Sequence, residues 1–205
     1  MKSTFIWDLD GTIIDSYEII VDSLLQVVEG CNLPYTYLEI YNYVKSKSVN
    51  AFIELLSTRC NHDKYQLKSQ YSEISNQRSN ELTCIRNAEY ILNYLHQNGV
   101  KNFIYTHKGK STAQVLDNLN LTPFFTEVVT SEHGFERKPH PQGIHHILDT
   151  YQLNADTVFY VGDRQIDADC AKNAGVKSIV LADDLNSNLV GDNLITDLKQ
   201  LVDFI

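Results

Sequence analysis

Cysteine is scarce in this chain. The four present, Cys31, Cys60, Cys84 and Cys170, are scattered with no Cys-x-x-Cys spacing, which reads as reduced, cytosolic thiols rather than a disulfide framework. Long apolar runs are missing too. No stretch approaches the ~20 residues needed to span a bilayer. The apolar start at Phe5 is cut short by Asp8 without a small-residue cleavage site, so no signal peptide is expected. Positive charge is in deficit, 17 Lys and Arg against 26 Asp and Glu, for a formal net charge of −9. That balance argues against holding a nucleic-acid backbone. It also means that any phosphate-bearing ligand needs local positive charge or a metal. Internal repeats and low-complexity segments are absent. The expectation is a cytoplasmic protein with neither membrane nor nucleic-acid partner, its oligomeric state open with a monomer favoured. A length of 205 residues allows one good core with room for a small second domain.

What is present begins with Phe5-Ile6-Trp7-Asp8-Leu9-Asp10-Gly11-Thr12. A β-prone apolar run stops at two carboxylates and a glycine. Residues two apart on a strand share a side, so Asp8 and Asp10 can face one site. Carboxylates that close resist ionising together unless a cation lies between them. The pair is a nucleophile, an acid/base or half of a metal site; the alternative is an acidic turn closing a surface strand. Gly11 allows a sharp backbone turn.

After Ser16 the pattern is helical, with Ile19, Ile20, Leu24, Val27 and Val28 recurring to about Gly30. A second helical segment carries Val49, Phe52, Ile53, Leu55 and Leu56, and a polar one from Asn61 to Asn80 is spaced for a half-exposed helix. Nothing from Asp15 to about Leu82 reads as a strand. From Ala88 helix and strand alternate: strands at 100–105, 127–130, 157–161 and 178–181, a helix capped by Ser111, others following Pro141 and Ile166, and a final helix over 195–204. Asp183-Asp184 reads as a turn. Such alternation implies an α/β fold with a doubly wound parallel sheet, and such sheets bind ligands at the carboxyl ends of their strands. Thr106-His107, Lys138, and Gly162-Asp163 with Asp167 all fall at or just after strand ends, on the edge where the first strand leaves Asp8 and Asp10.

In that order these residues resemble the four motifs of the haloacid dehalogenase superfamily. Asp8-Leu9-Asp10-Gly11-Thr12 looks like the first, Thr106 the second and Lys138, in Arg137-Lys138-Pro139-His140-Pro141, the third. Gly162-Asp163-Arg164-Gln165-Ile166-Asp167 looks like the fourth, and Ala171-Lys172-Asn173-Ala174-Gly175 continues as in phosphoglycolate-phosphatase-like members. The resemblance implies a Rossmann-like catalytic core, residues 1–14 and 86–205, and an all-helical cap, 15–85, inserted between the first and second motifs. It implies a phosphatase of a small phosphorylated metabolite. Asp8 would form an aspartyl phosphate and Asp10 would serve as acid and base. Mg²⁺ would be held by Asp8, the Asp10 carbonyl and Asp163. Thr106 and amides near Leu9, Asp10 and His107 would bind the phosphoryl group; Lys138 would balance the charge and hold Asp8, and Asp167 would orient the lysine or the metal's waters. Such positioning and charge neutralisation are what slow phosphoryl chemistry requires.

His107 is equally readable as loop packing, and the adjacent His145 and His146 cannot share a helix face. Asp163 and Asp167 could instead be acids at a helix N-terminus, although that leaves Gly162 without a reason. Trp7 reads as core. In the cap, Lys45 and Lys47 are the cations to test for substrate contact, a solvated pair being the plainer reading. Its seven tyrosines read first as packing. The subfamily usually has Pro-Gly where Arg86-Asn87 stands, which loosens the placement of the second cap boundary. Four rivals remain: a phosphomutase on the same scaffold, a dehalogenase, whose branch lacks the second aspartate and metal site, a receiver-type phospho-accepting module, and, least favoured, a catalytically silent binding protein.

Overall fold

A computed structural model describes residues 2–182 and 188–205; Asp183 and Asp184 lie outside the described residues. The chain forms two compact units, one comprising the segment up to Asp15 with Thr83–Ile205, the other Ser16–Leu82.

The first unit starts with β1 (Thr4–Trp7) and a two-residue strand β2 (Ile14–Asp15). The second unit then contributes α1 (Tyr17–Gly30), α2 (Tyr37–Ser46), α3 (Val49–Cys60) and α4 (Lys64–Gln77). Back in the first unit come β3 (Thr83–Cys84), α5 (Ala88–Gln97), β4 (Lys101–Tyr105), α6 (Ser111–Asn118), β5 (Glu127–Val129), α7 (Gln142–Thr150), β6 (Val158–Gly162), α8 (Gln165–Ala174), β7 (Lys177–Leu181) and β8 (Asn193–Ile195). The chain closes with a 3₁₀ segment, Leu198–Phe204.

Six of these strands form one parallel sheet in the order β5-β4-β1-β6-β7-β8, and β2 pairs antiparallel with β3. The first strand lies in the middle. From it the chain builds outward through β4 and β5, then returns to its other side through β6, β7 and β8. β1 is therefore the switch point of a doubly wound α/β sheet, where a crevice opens at the carboxyl ends. All four residues of β1 are buried, as expected of a central parallel strand covered on both faces. Alternation sorts its side chains. Ile6 packs with Phe103, Tyr105 and Tyr160 against Ile144 and Ile147 of α7 and Cys170 and Ala171 of α8. Phe5 stacks on Phe159, which meets Phe204. Trp7 is fully buried and its indole N–H donates to Asn102 at 3.0 Å, so its reading as core holds.

The second unit buries Ile20, Val21, Leu24, Val27 and Val28 of α1 with Ile40, Val44, Phe52, Ile53, Leu56 and Leu67 from the other three helices. Capping sets its helix starts. Thr36 and Glu39 form a reciprocal capping box on α2, Ser48 caps α3, and the Asp63 carboxylate accepts from the N–H groups of Tyr65 and Gln66.

The structure adds one helix and corrects two expectations. The tyrosine-rich stretch after Pro34, for which the sequence pattern offers no element, is helix α2; only Ile40 and Val44 are buried on it, so its apolar stripe is too narrow to see. The final helix over 195–204 is instead strand β8 followed by 3₁₀ turns, which a capping box between Asp197 and Gln200 starts. Ser111 is the first residue of α6 and makes no capping bond; Lys110 precedes it as the cap residue. At Arg86-Asn87, Asn87 takes a left-handed φ of 66°, the conformation in which asparagine best replaces glycine. Its side chain donates to Asp197 at 2.8 Å.

Candidate active site

Register brings the strand ends level. Trp7 lies opposite Ile104 of β4 and Val161 of β6. The Asp8 N–H continues the ladder by donating to the Val161 carbonyl at 2.8 Å, as the Thr106 N–H does to Val129 at 2.9 Å. Asp8, Thr106 and Asp163 thus each follow directly on a strand of the central trio. Beyond Asp8 the chain turns through Gly11, at φ 82°, with the Leu9 carbonyl accepting from Ile13 and Ile14 at 3.0 Å each. The Leu9 side chain is buried.

Lys138 is the centre of the cluster. Its ammonium donates to Asp8 Oδ1 at 2.7 Å and to Asp167 Oδ1 at 2.8 Å, and none of the three side chains is more than 3% exposed. The rings of Tyr105 and Tyr160 flank it, with centroids at 5.4 and 5.2 Å, so the cation also meets two π faces. Burial alone would push this ammonium's pKa down; the Asp167 and Asp8 carboxylates outweigh it and the net direction is up. The backbone N–H of Lys138 donates to His107 Nε2 at 2.8 Å. Burial, together with Lys138, Arg137 and Arg164 nearby, pushes the imidazole pKa down to about 2. His107 is therefore neutral, and its side chain positions the Lys138 loop.

Asp167 serves two purposes. Its Oδ1 holds Lys138, while its Oδ2 accepts from the Arg164 N–H at 3.2 Å and caps α8. One carboxylate thus both caps the helix start and holds the buried ammonium. Burial favours its neutral form, but Lys138, Arg164 and that amide outweigh burial and hold it below the ordinary carboxylate range. Gly162 now has a reason: a Cβ there would collide with the Asp167 side chain. Asp8 is different. Burial pushes its carboxyl up to about 6 against the pull of Lys138, and Asp167 adds to the push. Its Oδ2 is buried and has no hydrogen-bond partner.

That orphaned oxygen is the test of whether a metal fits. Carboxylate oxygens of Asp8, Asp163 and Asp167 lie within 4.8 Å of one another, an all-oxygen set suited to a hard divalent cation. Asp167 is already committed to Lys138 and α8, so Asp8 and Asp163 are the carboxylates best disposed toward such an ion. The residues present fit the group.

Several contributors escaped the sequence reading. Lys108 Nζ lies 3.2 Å from Asp10 Oδ1, and its N–H donates to Thr106 Oγ1 at 3.1 Å. Thr12 Oγ1 donates to Asp163 Oδ1 at 3.3 Å. Arg164 reaches within 3.9 Å of Asp8 Oδ2 and 4.0 Å of Asp167 Oδ2. Each is within four residues of a motif aspartate or threonine, which was the available signal. Lys45 and Lys47 belong to the helical unit, Lys45 in the last turn of α2 and Lys47 just past its end. Lys45 is half-buried with its ammonium 4.6 Å from the Tyr17 ring centroid, and Lys47 is exposed. His146 pairs with Glu127 at 2.9 Å.

The family profile of haloacid dehalogenase-like hydrolases matches residues 5–181. The chain belongs to that family. Among curated relatives of this haloacid dehalogenase-like hydrolase, it is 26% identical to a phosphoglycolate phosphatase of Vibrio cholerae, over 85% of this chain and 82% of that one. It is 28% identical to pyrophosphatase PpaX of Bacillus cereus, over 88% and 83%. Among solved structures, a predicted phosphoglycolate phosphatase from Haemophilus somnus superposes with a TM-score of 0.84 at 19% identity, covering 98% of this chain and 97% of that one. That likeness concerns the fold. Among the described residues, no helix is long and apolar enough to cross a membrane.

Proposed function

We propose that the chain is a Mg²⁺-dependent phosphatase that hydrolyses a small phosphorylated metabolite through an aspartyl phosphate on Asp8, in the cytoplasm. The observation that carries this reading is the state of Asp8: a buried carboxylate with one oxygen on Lys138 and the other without a hydrogen-bond partner. Asp8 attacks phosphorus, and the bond to the leaving oxygen breaks as Asp10 gives that oxygen a proton. To carry the proton, Asp10 leaves its ion pair with Lys108. Asp10 then takes a proton from water, which attacks the acyl phosphate, releases inorganic phosphate and restores Asp8. Lys138 balances the charge on Asp8 throughout, and Thr106 donates to a phosphoryl oxygen with the amides near Leu9, Asp10 and His107. A divalent ion held by Asp8, the Asp10 carbonyl and Asp163 would supply positive charge against nucleophile and phosphate. The helical unit would serve as the cap, with Lys45 and Lys47 as its substrate contacts.

The test is a panel of phosphorylated metabolites scored for inorganic phosphate. It should include phosphoglycolate and pyrophosphate, on which the named relatives act. Release from at least one compound is expected. It should fall on the order of 10³-fold or more in Asp8→Asn, and to background in EDTA with recovery on adding Mg²⁺. An isomerised product that forms only with a bisphosphate activator would make the protein a mutase. A stable phosphoprotein without turnover would make it a receiver-type module.

A further inference from the structure

The cysteines look scattered in sequence, yet within the helical unit two of them meet. Cys31 closes α1 and Cys60 ends α3, and their sulfurs are 3.1 Å apart. Asn61 then adopts a left-handed φ of 55°, which reverses the chain immediately after Cys60. This brings the next residue, His62, back toward the sulfurs: one donor atom from each of Cys31, Cys60 and His62 lies within 4.8 Å of the other two. The turn is held on both sides, by Ser57 donating to the His62 carbonyl at 2.6 Å and by Asp63 capping α4. The two thiols are half-buried and His62 is exposed, so the group is formed at the surface with a way in from solvent.

We propose that Cys31, Cys60 and His62 form a soft-metal site that takes Zn²⁺, with a fourth position left for water. Two thiolates and an imidazole are the donors that borderline-soft cations prefer, whereas the carboxylates around Asp8 suit a hard one. Binding displaces the two S–H protons to solvent and uses the neutral imidazole lone pair; no electron changes hands. Zn–S bonds of about 2.3 Å at tetrahedral angles hold two sulfurs about 3.8 Å apart. Metal entry therefore spreads the pair by about 0.7 Å from its 3.1 Å contact, a movement within the reach of cysteine χ1 rotation. The thiols are already differentiated. Burial would raise Cys60, but hydrogen bonds with Cys31 and His62 hold it below the ordinary thiol range, while burial and Cys60 push Cys31 up to about 11. A disulfide would use only two of the three convergent groups.

The experiment is a Co²⁺ titration of the full chain, reduced with a phosphine and held in excess Mg²⁺ to occupy the carboxylate cluster, followed by Zn²⁺ displacement. One Co²⁺ per chain should bind with a thiolate-to-cobalt charge-transfer band that Zn²⁺ bleaches. Cys31→Ser and Cys60→Ser should each remove or halve the band, His62→Ala should weaken binding about tenfold or more, and Asp8→Asn should leave it intact. Absence of the band, an unchanged affinity in His62→Ala, or loss of the band in Asp8→Asn would overturn the site. So would a chain two hydrogens lighter under non-reducing mass spectrometry, which would show a cystine instead. Because His62 is exposed, its variant remains decisive should the serine variants fail the far-UV circular dichroism check.

Discussion

The two units of this chain bury very different things. Among the described residues, every buried charged side chain, Asp8, Lys138, Asp163 and Asp167, belongs to the sheet unit, whereas the only buried polar side chains of the helical unit are Ser16 and Ser23. An apolar helical core is favoured by burial without any need for charge pairing. A buried ion triad is not: it must recover several kcal/mol of desolvation per ion through pairing. Charge kept at that cost, gathered beside the carboxyl ends of the adjacent strands β1 and β6, is the mark of a site rather than of a fold.

The comparison breaks hardest at Lys138. Lys138→Met strands two buried carboxylates, and urea unfolding should show a loss of about 3–5 kcal/mol together with loss of phosphate release. If stability barely changed, the triad would not be the costly element argued for it. Next comes the proton and metal balance at Asp8. Its carboxyl sits at about 6 against an ordinary 3.8, so its stabilising contribution is present below about pH 4 and is lost as pH rises through about 6, a swing on the order of 3 kcal/mol. Protons and Mg²⁺ compete for that oxygen. The rise in Tm produced by Mg²⁺ should therefore grow between about pH 5 and pH 7, and Asp8→Asn should flatten that dependence; a pH-independent rise in the wild type would contradict the assignment. Gly162→Ala should cost about 1–3 kcal/mol by overpacking against Asp167, with turnover falling because Lys138 loses its alignment; wild-type turnover would show that this contact can relax. The smallest effect is expected in the helical unit. Lys47→Ala should leave stability within about 0.5 kcal/mol and raise KM a few-fold with kcat unchanged. An unaltered KM would remove Lys47 from the substrate contacts.

The motif aspartates and Lys138 were legible because alternation along a strand and the abrupt end of an apolar run are local properties. Lys108, Arg164 and Thr12 were not, since a loop lysine or arginine is solvated by default and only the fold brings them against Asp10, Asp8 and Asp163. Helix α2 escaped because two buried positions make no visible period. The last segment was misread because Leu198 and Leu201, both buried, are spaced alike for α and 3₁₀ turns.

By itself the sequence determined the alternation of strand and helix from Ala88 to Leu181, the residues at those strand ends and the absence of long apolar runs, because these depend on neighbours a few positions away. Tertiary structure alone decided which charges are buried together, why position 162 admits no side chain, that His107 accepts a hydrogen bond from the Lys138 N–H, and that Cys31 and Cys60 touch. Those facts come from the register of strands and the packing of helices distant in the chain, and burial, which sets the energy of every charge and thiol involved, does not exist until those elements come together.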